Sequence, residues 1–162
     1  MIILGIDPGT AHTGFGIINK ISSPKSKNRN RIKCIDYGLI QTNPDSPTPE
    51  RLRILYNEVG KLIKKYNSKV LAVEKLYFFK NLKTAIPVAQ AKGVILLAAA
   101  KKKIPVFEFT PLQVKMTVAN YGRAEKKQVQ RMIKTLLNLK EIPKPDDAAD
   151  ALGVAICCAN FL

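Results

Sequence analysis

Two rhythms of apolar residues run along this chain. The opening MIILGI is a nearly unbroken apolar run, of the kind that forms a buried strand, and predicts one over residues 2–6. After the turn DPGTAHTG, the segments FGIIN and IKCIDYGLIQ predict a second and a third strand, close enough in sequence to pair as an antiparallel meander. The rhythm then lengthens. In SPTPERLRILYNEVGKLIKKYN, Leu52, Leu55, Val59 and Leu62 recur at helical spacing, with charges on the other side. KVLAVEK predicts a short buried strand, and TAIPVAQAKGVILLAAAKKK a helix that begins or bends at Pro87. IPVFEFT predicts another strand. PLQVKMTV, EKKQVQRMIKTLLNL and PKPDDAADALGVAICCANFL predict helices, with YGRA as a turn. This order predicts one α/β domain over residues 1–162, with antiparallel strands first and parallel neighbours added by the strand–helix–strand crossovers.

Four acids sit badly in this pattern. Asp7 ends a strand that reads as buried, and Glu74 ends another. Asp147 and Asp150 stand three apart at the start of the last helix, hence on one face of it. Ordinary structural roles exist for each. An Asp before Pro-Gly is a common turn residue, a lysine partner would account for Glu74, and acids in a first helical turn suit its dipole. Asp146 is read in this way, as the helix N-cap. For Asp147 and Asp150 the rest of the helix argues otherwise. From Ala151 to Leu162 it has no charged residue, and a helix apolar all round is buried all round. Its acidic end is therefore pressed against something, with the sheet as the candidate.

If the first and fourth strands are parallel neighbours, Asp7 and Glu74 share one edge of the sheet, and the last helix brings two more carboxylates to it. Two like charges about 4 Å apart repel by ~1 kcal/mol even in water. Four therefore call for cations or for proton uptake. Oxygen-only donors suit Mg²⁺ or Mn²⁺.

Charge sharpens the picture. There are 27 Lys and Arg against 12 Asp and Glu, a net charge of +15, which points to a polyanionic partner, nucleic acid before membrane. An acidic cluster in a basic protein suggests metal-assisted cleavage of a phosphodiester. The stretch at 22–33 is rich in basic residues without an acid and reads as an exposed loop. Three cysteines, no CxxC and a single histidine argue against a zinc site. No apolar run is long enough to span a membrane, and the signal-peptide pattern is lacking, which predicts a cytoplasmic protein.

GIDPGT with TGFGII, AVEKLYF, AQAKGV, PVFEFTPLQVKMTV, AEKKQVQRMIKTLL and DDAADALGVAI, taken in order, resemble the RuvC family of Holliday-junction resolvases. The resemblance runs from residue 2 to about residue 159. It implies an RNase H-like α/β fold, a five-stranded mixed sheet of order 3-2-1-4-5 flanked by helices. It also implies a homodimer that nicks opposing strands of a four-way DNA junction, with a branch-migration helicase complex as partner. By this resemblance Asp7, Glu74, Asp147 and Asp150 are catalytic and bind two Mg²⁺, with Mn²⁺ as a substitute. Some relatives carry His at the place of Asp147. Tyr77 falls where the family places an aromatic that stacks on a base, with Phe78 and Phe79 beside it. Lys115 and Lys126 match lysines near the scissile phosphate, and Arg123 and Lys127 are read as further DNA contacts. Gly9 and Gly14 are expected to turn the chain sharply away from the metals, and the Ala-rich helix after Pro87 to form the dimer interface. GIDPGTAHTG also resembles the first phosphate loop of actin-like ATPases, which need two such domains around a nucleotide. The same residues would also suit a nucleic-acid binder without catalysis, or an RNase H or transposase type of nuclease.

Overall fold

The computed structural model describes residues 1–21, 31–75 and 82–162, with backbone only for 82–84. In chain order the elements are β1 (Ile2–Asp7), β2 (His12–Ile21), β3 (Arg31–Gln41), α1 (Thr48–Tyr66), β4 (Val70–Glu74), α2 (Leu82–Lys101), β5 (Val106–Phe109), α3 (Pro111–Ala119), α4 (Lys126–Leu136) and α5 (Asp146–Phe161). One sheet of order β3-β2-β1-β4-β5 carries them. β1 pairs antiparallel with β2 and parallel with β4, and β4 pairs parallel with β5. This is the expected mixed sheet.

Alternation along the strands sorts the two cores. Leu4, Ile6, Leu71 and Val73 join Leu55, Val59 and Ile63 of α1 and Ile95 of α2 on one face. Ile3, Val70 and Ala72 join α3, α4 and α5 on the other. Side chains two apart share a face. Asp7 therefore continues the series of Ile3, and Glu74 that of Ala72, onto the α5 face.

Several boundaries differ from the sequence reading. β2 takes in HTG, because Thr13 closes the turn itself: its hydroxyl donates to the Gly9 carbonyl at 2.6 Å. β3 begins at Arg31, one residue before the strand read at IKCIDYGLIQ, so the end of the basic 22–33 stretch is strand, while 22–30 lie outside the described residues. In α1 the inward residue is Ile63, with Leu62 only half-buried. α2 begins before Pro87 and runs through it.

α5 is buried along nearly its whole length, from Ala148 to Ala159. It lies against a sheet floor of glycines. A Cβ on Gly5 would come 2.2 Å from the Ala151 carbonyl, one on Gly14 1.9 Å from the Asp147 carbonyl, and one on Gly16 2.8 Å from the Leu152 side chain. Gly14 thus does not turn the chain as expected. It lies inside β2, opposite Asp7, and no described glycine has positive φ. Its missing side chain is what admits the first turn of α5.

Candidate active site

Four elements meet at the edge where β1 and β4 end. Ile6 pairs with Val73, so the next residues, Asp7 and Glu74, end adjacent strands at one level. The glycine floor holds α5 close, and Asp147 and Asp150 open its first turns at this edge. Asp146 is not the cap. The cap position is Pro145, and the Asp146 carboxylate turns instead to α4, accepting from the Gln130 amide at 2.9 Å and pairing with the Lys126 ammonium at 3.3 Å. Proline before the helix leaves Asp146 as its first residue, where a carboxylate still suits the dipole.

The acids feel one another strongly. Burial, then Glu74, Asp150 and Asp147, push the Asp7 carboxyl up to about 8. Burial and then Asp150 raise Glu74, which Lys126 and Lys92 partly offset. Lys92 is itself buried in α2 and donates to Glu108 of β5 at 2.5 Å. Asp150 pairs with Lys126 at 3.0 Å. An ion pair alone would lower it, but burial outweighs the pair and Asp150 stays raised. On the other side of that pair burial opposes the charge, and hydrogen bonding to Asp150 leads the contacts that still lift Lys126 above its ordinary value.

The direction for stability follows. Unfolded, Asp7 loses its proton near pH 4. Folded and metal-free, it keeps the proton to about pH 8. Between these values the folded state holds more protons, so stability is greatest at the acid end and falls as pH rises. In EDTA the protein is expected to melt several degrees lower at pH 8 than at pH 5.5. Asp7→Asn is expected to flatten that slope, as followed by circular dichroism. Equal slopes in the two proteins would remove Asp7 as its source.

A cleft of about 280 Å³ opens beside the acids, lined by Glu74, Asp150, Lys115 and Lys126, with Val114, Val129, Ile133 and Val154 among its apolar walls. Of the four basic residues read as DNA contacts, Lys115 and Lys126 line it. Arg123 and Lys127 are exposed, outside its lining. Tyr77, Phe78 and Phe79 lie outside the described residues.

As the side chains stand, no three His, Cys, Asp or Glu among the described residues are gathered to hold one ion. The donor set still fits a hard divalent cation. It is all oxygen, and the proton retained by Asp7 marks a site short of positive charge. Gathering the donors requires Asp150 to exchange Lys126 for the ion.

A mixed sheet of this order, with carboxylates at the ends of its two central parallel strands and on the helix that crosses it, defines an RNase H-like fold. The family of the crossover junction endodeoxyribonuclease RuvC matches residues 3–158. A RuvC of Desulforamulus reducens is 55% identical over 161 residues, covering 99% of this chain and 94% of the relative. Among solved structures, Thermus thermophilus RuvC superposes with a TM-score of 0.89 at 32% identity, covering 99% and 95% of the two chains. The same enzyme in complex with a Holliday junction substrate gives 0.86 at 29% identity, covering 99% and 94%. The chain belongs to the RuvC family of crossover junction endodeoxyribonucleases.

Proposed function

We propose that this chain resolves four-way DNA junctions by paired, symmetric, metal-dependent nicks. Family membership carries the reaction class, a metal-dependent endodeoxyribonuclease. The observation that supports the catalytic assignment is Asp7, a partly buried carboxyl raised to about 8 by its burial and by Glu74, Asp150 and Asp147. In this reading residues 1–162 act as one nuclease domain in the cytoplasm. No helix among the described residues is long and apolar enough to cross a membrane.

Asp7, Glu74, Asp147 and Asp150 would hold two Mg²⁺, with Mn²⁺ able to substitute. Bound there, the metal supplies activation of the attacking water and stabilisation of the leaving 3′ oxygen. Water adds to phosphorus as the bond to the 3′ oxygen breaks, leaving a 5′ phosphate and a 3′ hydroxyl. The rigid ends of β1 and β4 hold two of the donors, and the glycine floor sets the height of the other two. Lys115 and Lys126 face the cleft from α3 and α4 and would draw the scissile strand in by its phosphates. Arg123 and Lys127 would hold the arms, and Tyr77, Phe78 or Phe79 would stack on a base at the crossover.

One chain has one such site, whereas resolution needs two nicks. A two-fold dimer supplies both in the symmetry of the junction. The exposed face of α2 is the proposed interface. Ile86 and Leu97 are 63% and 50% exposed on it, and a Cβ on Gly93 between them would meet nothing. A branch-migration helicase complex is the further partner implied by the family.

The test sets labelled four-way junction, linear duplex and RNA–DNA hybrid side by side with Mg²⁺, and weighs the protein by light scattering. Paired nicks in the junction alone, from a particle of twice 18.0 kDa, are expected. Equal cleavage of linear duplex, or a monomer that completes both nicks, would overturn the reading. Removing Lys127 or Arg123 is expected to reduce the slope of log K against log salt by ~0.9 for each phosphate no longer neutralised. Unchanged slopes would return these residues to a merely solvated surface.

A further inference from the structure

Lys126 is drawn to two acids at once. Its ammonium lies 3.0 Å from Asp150 and 3.3 Å from Asp146, and the Gln130 amide, one turn further along α4, fixes the Asp146 carboxylate from the other side at 2.9 Å. Asp150 belongs to the acid cluster. Asp146 stands at its edge: its side chain is 63% exposed and its contacts run outward, to α4, while its charge still bears on Asp150. The α4 side of the cluster is thus closed by a cation of the protein's own, shared with an exposed acid at the cluster's edge.

We propose that Lys126 is an internal counter-cation that stands in for metal on Asp150, and that Asp146 is the positioning residue that receives it when metal arrives. The inference rests on the reading of Asp150 as a metal ligand. An ion binding to Asp150 must displace the ammonium. With Asp146 in place, Lys126 loses one partner and keeps the other, at the mouth of the cleft and within reach of an incoming phosphate. Without the Asp146 charge, Lys126 has Asp150 alone, and displacing it leaves an ammonium with no acid. Asp146 therefore eases metal entry without touching the metal, and it keeps Lys126 near the cleft through the exchange. Gln130 contributes by aiming the carboxylate.

The test is a double-variant cycle on the DNA-free protein, with Mn²⁺ alone as probe and free Mn²⁺ read by electron paramagnetic resonance. Both side chains are at least half exposed, so the variants are expected to keep the fold, checked by melting. Asp146→Asn is expected to weaken Mn²⁺ binding by about two- to five-fold, the scale of one half-exposed ion pair. Lys126→Gln is expected to strengthen it by a similar factor. In the Lys126→Gln background, adding Asp146→Asn is expected to change affinity little, because no ammonium is left to receive. The same loss in both backgrounds would mean that Asp146 acts by its own charge, and would overturn the inference. Asp150→Asn separates the underlying reading: if it leaves Mn²⁺ affinity untouched, the metal assignment falls and the inference with it.

Discussion

Asp7→Asn is expected to abolish cleavage while leaving junction binding intact. Asn is nearly isosteric, so the end of β1, the turn at Pro8 and the pairing opposite Gly14 should survive. What goes is a charge at the centre of the cluster. Asp7 is the acid on which Glu74, Asp150 and Asp147 all act, so a metal held by these four residues would lose one of its donors. The water activation that the metal would supply goes with the donor, and cleavage is expected to fall by orders of magnitude. Binding draws on a different source, a protein of net charge +15, in which phosphate contacts dominate affinity. In EDTA the variant is expected to hold the junction as tightly as wild type below about pH 8, where metal-free Asp7 already carries its proton, and slightly more tightly above it, where only the wild type sets a charged carboxylate against the phosphate. A gel shift in EDTA beside a cleavage time course in Mg²⁺ checks both halves. Near-normal cleavage would make Asp7 a turn residue. Lost binding in a folded variant would make it a shaper of the DNA surface.

The acids are legible in the sequence because they break a pattern. A carboxylate at the end of an apolar strand, or at the head of an uncharged helix, contradicts its neighbours, and the two strands and the helix bring those contradictions to one edge. The sheet order is legible through the family motifs, and the meander and crossovers through spacing. Side-chain partners are not legible. Lys126 and Asp150 lie on different helices, and no periodicity encodes their meeting. Asp146 reads as a cap for the same reason: its true partners, Gln130 and Lys126, come from α4. One signal shows only when distant segments are read together. Gly5, Gly14 and Gly16 recur every second residue or pair across strands, and strand glycines mark close backbone approach. Opposite them, Ala148, Ala151 and Ala155 give α5 a succession of small side chains. Together these point to a helix seated directly on β1 and β2.

That close approach makes Gly14→Ala a severely damaging methyl group at the site. The added Cβ would lie 1.9 Å from the Asp147 carbonyl oxygen and 2.3 Å from its carbon. Both are backbone atoms, so no side-chain rotation relieves the clash. Either β2 bows away from its partner Asp7, or the first turn of α5 lifts off the sheet. Overpacking of this kind costs ~1–3 kcal/mol, which for a chain of this size lowers the melting temperature by roughly 2–4 °C per kcal/mol. The cost to the reaction is larger. Lifting the turn carries Asp147 and Asp150 away from Asp7 and Glu74, and a misplacement of about 1 Å can reduce a rate by ~100-fold. Gly60→Ala is the matched control. Gly60 lies inside α1, where a Cβ would meet only the tip of Lys102, at 4.0 Å, and alanine there is expected to stabilise by about 0.5–1 kcal/mol. Cleavage is read well below both melting points, so that loss of site geometry is separated from loss of fold. If Gly14→Ala melts and cleaves like wild type, the helix is not seated on the strand by the missing side chain, and the height of Asp147 and Asp150 above the sheet must be set elsewhere.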